Sequence, residues 1–224
     1  MDKIKTCELF DVDIPFLSPL FNSTIYPWGI LPKLKDFIKT LLLDPPKDYT
    51  LLKDGVLVGK NVEISPFATI IAPAIIGHNT VIRPGAYLRG YVIVGSNCVV
   101  GNSTELKHCI LLDNVQVPHY NYIGDSILGN HSHLGAGVIC SNLKNDKLNV
   151  VIKGETRFET YLRKVGCFLG DNTDIGCNSV LNPGTVVGKN TKVYPLSFLR
   201  GVIKENCIVK QNGNITNFNN FNNT

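Results

Sequence analysis

The sequence predicts a mainly β protein wound as a parallel β-helix behind a short helical segment, and three observations carry that prediction. Stepping by six residues from Val58 meets an aliphatic ten times in succession: Val58, Ile64, Ile70, Ile76, Ile82, Leu88, Val94, Val100, Leu106 and Leu112. Such a run arises by chance on the order of once in 10⁵ for a chosen phase. Four residues after the aliphatic stands, in most repeats, a small or branched group (Val62, Ala68, Ala74, Thr80, Ala86, Val92, Cys98, Thr104), and glycine often follows the aliphatic directly, as at Gly77 and Gly95. The period then resumes at Leu169 and runs through Ile175, Leu181, Val187, Val193 and Leu199. A helix needs spacings of three and four and a half-buried strand needs alternation, so a period of six describes a coil with three short sides, each turning one aliphatic inward. Coils stacked at strand spacing predict a prism of about seven turns, roughly 35 Å long.

The elements follow in order. Residues 1–50 form a cap segment in which "LPKLKDFIKTLLLDPP" sets Leu31, Leu34, Phe37, Ile38, Leu41 and Leu42 on one face of a helix and ends it at Pro45 and Pro46. This helix is expected to close the open end of the prism, with Trp28 as a buried plug. Residues 51–210 are the β-helix. Residues 141–164 abandon the period with a polar, charged stretch, a candidate functional loop leaving a rigid coil. The asparagine-rich residues 211–224 read as a disordered tail.

The totals exclude several classes. Lys and Arg outnumber Asp and Glu by 22 to 18 with no long run of like charge, which argues against nucleic acid as a partner and leaves room for a local basic pocket. The seven cysteines form no CxxC pair, so they predict reduced thiols and neither a disulfide framework nor a thiolate metal site. The charged start "MDKIKTCELF" and the lack of any long apolar run predict a cytoplasmic protein with no membrane contact.

The rhythm fails at "QVPHYNYIGDS", where Pro118 stands in place of an aliphatic and His119 and Tyr122 follow. The period returns at Ile123, Leu128 and Leu134 after one step of five, as though a residue had been dropped to re-aim side chains. The series "RPGAYL", "ELK", "PHYNYIGDSILG", "LGAGVICSNL" and "LRKVG" resembles the C-terminal acetyltransferase domain of the bacterial and archaeal bifunctional enzymes that make UDP-N-acetylglucosamine, over most of residues 51–200.

That resemblance implies a left-handed β-helix, the known exception to right-handed parallel crossovers. It implies an acetyl-CoA-dependent N-acetyltransferase acting on an amino-sugar 1-phosphate such as glucosamine 1-phosphate or galactosamine 1-phosphate, working as a homotrimer with sites between subunits. It makes His119 the general base, Tyr122 and Asn142 sugar-binding groups, and Arg83 and Lys107 the phosphate-binding cations. His133 falls where the bacterial enzyme has a sugar-binding asparagine, and Cys177, Pro195 and Lys210 fall on cofactor positions. Imidazole suits the base role, since its ordinary pKa near 6.5 lets it take a proton at neutral pH. Leu143, Leu148 and Val151 depart from the pattern where the family carries tyrosine and lysines. Residues 1–50 hold no glycine-rich nucleotide loop, so no nucleotidyl transfer is expected of this chain. His78 and His108 read as structural, and Arg163 and Lys164 stand between substrate clamp and surface. A non-catalytic sugar-phosphate-binding scaffold is the alternative reading. A zinc carbonic-anhydrase-like enzyme using His131 and His133 is a more distant one, and no metal is expected.

Overall fold

The computed structural model describes residues 3–52, 55–211 and 213–217. Three sheets of parallel strands form the faces of a β-helix, the first and second with nine strands each and the third with seven, and the nine-stranded pair each end in an antiparallel strand. The first face gathers strands such as Ala74–Ile76, Val92–Val94 and Cys109–Leu111; the second, Val81–Ile82, Val99–Asn102 and Gln116–His119; the third, Tyr87–Arg89, Glu105–Lys107 and Tyr122–Gly124. Inside, Ile76, Ile82, Leu88, Val94, Val100 and Leu106 meet in one buried column, and the second run from Leu169 to Leu199 continues it. The companion hydroxyls turn inward as well: Thr191 donates to the carbonyl of Lys204 at 2.9 Å and Ser197 to that of Tyr194 at 2.6 Å. At one corner Asn61, Asn79 and Asn97 hold positive φ and form a side-chain ladder with links of 3.1 and 3.3 Å. Asparagine tolerates this left-handed conformation better than most residues, and each amide satisfies the next.

The break in the rhythm lies earlier than the sequence suggests. Leu88 pairs with Leu106 across an 18-residue coil, but Val94 pairs with Leu111 and Leu106 with Ile123 across 17. The inward series therefore runs Leu106, Leu111, Val117, Ile123, Leu128, Leu134, with steps of five at Leu106 to Leu111 and at Ile123 to Leu128. Leu112, counted as an inward residue from the sequence, instead joins the apolar cluster outside the first face. Val117 fills the interior position, so Pro118 interrupts nothing. Its carbonyl lies over Gly101, where a Cβ would come within 1.6 Å of the Pro118 oxygen, and only glycine admits that approach.

The helix predicted before the repeats forms as α3, Leu31–Leu43, preceded by α1, Thr6–Leu9, and α2, Ser18–Asn22. Its position differs from the expected end cap. Residues of the first face that point outward (Leu57, Ile75, Ile93, Ile110, Ile127, Phe168 and Val186) are fully buried or nearly so, in one cluster with Leu9, Phe21, Trp28, Leu34 and Ile38. The N-terminal segment thus lies along a side of the prism, because an outward apolar stripe on stacked strands needs a cover. Trp28 stacks on Tyr26 at 4.6 Å and packs 6.2 Å from Phe168, the structural role expected of it.

A polar tie fixes the same segment. The backbone N–H of Asp11 donates to the buried Asp171 carboxylate at 2.8 Å, and Lys189 bridges Asp11 and Asp171 at 2.6 and 3.1 Å. Burial works against the Lys189 charge, but hydrogen bonds to both carboxylates outweigh it and hold its pKa above the usual lysine value.

Residues 141–164 leave the prism as expected, yet they are not a plain loop: Val151–Lys153 and Arg157–Glu159 pair as an antiparallel hairpin, with Leu143 bridged to Lys164 at its base. Within the expected disordered tail, Ile215–Asn217 instead pairs antiparallel with Cys207–Val209, which covers the final strand edge. The rest of that stretch, residues 212 and 218–224, lies outside the described residues.

Candidate active site

The shortened coils set a polar cluster on the third face. In register along it, Lys107 stands above Arg89, and Tyr122 above Glu105. Gly124 follows Lys107 in its column, and a Cβ there would come within 2.6 Å of both the Tyr122 hydroxyl and the Asn142 amide. The missing side chain is the space in which these two groups meet. At the neighbouring corner His108, Asp125 and Asn142 stack one coil apart: His108 Nδ1 lies 2.7 Å from Asp125 Oδ1, and the Asn142 amide donates to Asp125 Oδ2. Asp125 is buried, which makes its two partners necessary.

Charges concentrate here. Burial pushes the Lys107 ammonium below the usual lysine value; Asp125 opposes the shift, while Lys164 and Arg89 reinforce it. Burial likewise raises the Tyr122 pKa, helped by Glu105 and Asp125, with the Asn142 hydrogen bond working against it. Arg89 donates to Glu105 at 2.7 Å and lies over the Tyr87 ring.

The remaining predicted residues sit apart from this cluster. His119 is exposed at the end of a second-face strand, where that face meets the far edge of the third, its backbone paired with Asn102. Asn121 braces that turn from inside, accepting from the His119 N–H at 3.3 Å and donating to the Gly135 carbonyl at 2.8 Å. Cys177 and Pro195 extend the corner column of His119 two and three coils on, at about 4.8 Å per coil. Arg83 is exposed on the same edge two coils the other way, across the face from Lys107. His133 stands on the second face, with its Nδ1 2.9 Å from Asp174 and no link to Tyr122 or Asn142. Lys210 closes the last turn, its N–H donating to the Asn214 carbonyl. His78 accepts from the Lys60 N–H at 2.7 Å, a structural bond. Among the described residues no group of three or more His, Cys, Asp or Glu converges as a metal site, and His131 and His133 find no third ligand.

Three members of the cluster were not picked out from sequence. His108 and Asp125 precede Asn142 by 34 and 17 residues, whole turns of the shortened coil, and Arg89 precedes Lys107 by one full 18-residue turn. A 17-residue stacking period read from the step of five is the signal that finds the first two.

Because the atoms nearest to that Cβ are side-chain ends and not backbone, a Gly124→Ala protein is expected to fold, with Tm a few degrees below the parent where the Asn142 amide is pushed from buried Asp125. Its methyl displaces both groups, so KM for any sugar bound there is expected to rise about tenfold, read from steady-state kinetics.

Residues 70–160 match the family model described as the GMPPB C-terminal domain, a span holding Arg83, Lys107, His119, Tyr122, His133 and Asn142. The chain is similar to the bifunctional sugar-1-phosphate nucleotidylyltransferase/acetyltransferase of Sulfurisphaera tokodaii, 31% identical over 175 residues covering 75% of this chain and 43% of that protein. It is 29% identical over 196 residues to the bifunctional protein GlmU of Methanococcus aeolicus, covering 86% of this chain and 48% of the relative. An Escherichia coli relative described as the putative uncharacterized acetyltransferase YaiX is 34% identical over 141 residues, 62% of this chain and 61% of its own. The resemblance carried by the motifs thus extends over 75% and 86% of this chain, and the chain spans less than half the length of the two bifunctional proteins. No helix among the described residues is long and apolar enough to cross a membrane.

Proposed function

We propose that the chain is an acetyl-CoA-dependent N-acetyltransferase acting on an amino-sugar 1-phosphate, in the cytoplasm. The observation that carries this is an exposed imidazole, His119, set across the third face from a hydrogen-bonding pair, half-buried Tyr122 and buried Asn142, and from a cation, Lys107, that Lys164 and Arg89 repel and Asp125 attracts. The His119 ring takes one proton from the sugar ammonium; the amine lone pair attacks the thioester carbonyl, a C–N bond forms, the C–S bond breaks, and the proton shed by the new amide nitrogen passes to the departing thiolate, which leaves as the thiol. Tyr122 and Asn142 orient the sugar. The phosphate relieves the repulsion between Lys107 and Lys164, and Arg89, one coil from Lys107 in its column, is better placed than the distant Arg83 to bind it as well. Acetyl-CoA is proposed to lie along the edge that carries Cys177 and Pro195, toward Lys210.

The edge beside His119 is lined by Phe67, Tyr120 and Leu196, exposed by 78%, 61% and 66%. Large apolar side chains in a row favour a partner surface. A homotrimer with the site between prisms covers them. Sedimentation at micromolar concentration is expected to give a trimer, and a monomer contradicts a shared site.

The acceptor is tested by NMR detection of N-acetyl product after incubation with acetyl-CoA and either glucosamine 1-phosphate or galactosamine 1-phosphate. Acetylation of one of them supports the proposal and names the sugar; no acetylated sugar from either favours the scaffold role. A pH dependence follows from Lys107. Its folded pKa lies below the usual lysine value, so the charged form is lost, and phosphate binding with it, as pH rises through that lowered value. KM for the sugar phosphate is expected to climb at alkaline pH before ordinary lysines titrate, and Lys107→Gln is expected to raise KM throughout and flatten the climb.

A further inference from the structure

A second cationic site lies beyond the cluster just described. Between the hairpin of residues 151–159 and the third face opens a groove of about 500 Å³, lined by Ser141, Lys144, Lys153, Arg157, Asn182 and Arg200 among others. Lys144 is paired with Asp146 at 3.0 Å. Lys153, Arg157 and Arg200 have no carboxylate within ion-pair distance among the described residues. Lys153 and Arg157 also stand directly opposite each other across the antiparallel hairpin, in register. Like charges in that relation repel and weaken a two-stranded ribbon unless something anionic lies between them.

The hairpin is nevertheless firmly built. Val150 and Ile152 are fully buried, Thr160 donates to the Val150 carbonyl at 2.6 Å, and the Lys153 carbonyl presses on Gly201, where a Cβ would sit 2.4 Å away. Rigid backbone thus holds three cations outside any ion pair around one space, whose lining also carries Asp146, paired with Lys144 and within the field of Arg200. The space exceeds what a single phosphate fills and lies in the range of small-molecule sites. From Lys107 the column of the third face passes Gly124, Ser141 and Asn182 to Arg200, so the groove begins about 10 Å from Lys107 and is separate from the proposed sugar-phosphate position.

We infer that this groove is a binding site for the diphosphate of a nucleotide, with Arg157 and Arg200 as forked donors and Lys153 and Lys144 as point charges. Two kinds of molecule carry that group, a nucleoside-diphosphate sugar and coenzyme A. The site stands on its own geometry and binds whether or not the chain transfers an acetyl group.

Calorimetric titration of the full chain with inorganic pyrophosphate, UDP and coenzyme A tests it. Pyrophosphate is expected to bind, and Arg157→Gln and Arg200→Gln are each expected to weaken it at least about tenfold. Lys192→Gln, an exposed lysine on the second face, is expected to leave it unchanged. Displacement of pyrophosphate by UDP but not by coenzyme A assigns the groove to a nucleotide sugar; the reverse assigns it to coenzyme A. Absence of pyrophosphate binding, or binding indifferent to both arginine substitutions while the variants keep the parent Tm, overturns the inference. Acetyl transfer is not read in this experiment, so its result is independent of whether the chain is an acetyltransferase; coenzyme A in the groove moves the cofactor from the Cys177–Pro195 edge and leaves the reaction as proposed.

Discussion

His119→Ala is expected to lower kcat for acetyl transfer by about 10² to 10⁴ while leaving Tm and the sugar-phosphate KM close to the parent values. The expectation rests on geometry. His119 is exposed and its backbone is anchored on both sides, by Asn102 in the preceding coil and by Gly137, whose N–H donates to the His119 carbonyl at 3.1 Å. The side chain bears none of that load, so its removal deletes chemistry and leaves the fold. His108→Ala contrasts with it: that ring holds the buried Asp125, and Asp125 holds Asn142. Its loss frees a buried carboxylate and moves a sugar-orienting group, so it is expected to raise KM and lower stability together. A matching kcat loss in the two variants with unchanged KM in both contradicts the assignment of His119 as base and His108 as a positioning residue.

Phe168→Ala is expected to destabilise the chain by about 3 to 5 kcal/mol, read from chemical denaturation. Phe168 points out of the prism and is nonetheless fully buried, against Trp28 and the N-terminal cover. A free β-helix with a loosely attached leader predicts a different result, a loss near the few tenths typical of surface positions. The large effect is the signature of a prism whose first face is completed by residues 3–43.

The fold was legible because a period of six admits few structures, and the inward residues from Ile76 to Leu106 and from Leu169 to Leu199 follow the count. The misreading at Leu112 has a physical source. Leu111 and Leu112 are adjacent aliphatics, and counting by six selects the second when the coil has already lost a residue before the first. The outward apolar stripe was hidden for a related reason: Ile75, Ile93 and Ile110 neighbour inward aliphatics and read as part of one hydrophobic run, so the side cover they demand was taken for an end cap.

The candidate site was partly legible. Lys107, Tyr122 and Asn142 came from motif resemblance and do meet on one face, whereas Arg83, chosen for its "RPGA" context, stands across that face from Lys107. His108 read as structural, and Asp125, although inside "PHYNYIGDSILG", was given no role; only the 17-residue stacking brings them to Asn142. The hairpin cations at 153 and 157 could not be assigned from sequence, since their opposition depends on a strand register that a polar insertion does not announce.

The most direct measurement is thiol release from acetyl-CoA in the presence of glucosamine 1-phosphate or galactosamine 1-phosphate, set against the same reaction with glucose 1-phosphate, which carries a hydroxyl in place of the amine. The account predicts release with an amino sugar, little with the hydroxyl sugar, and its loss in His119→Ala. Release that ignores the amine, or that survives the loss of His119, contradicts an N-acetyltransferase working from this face.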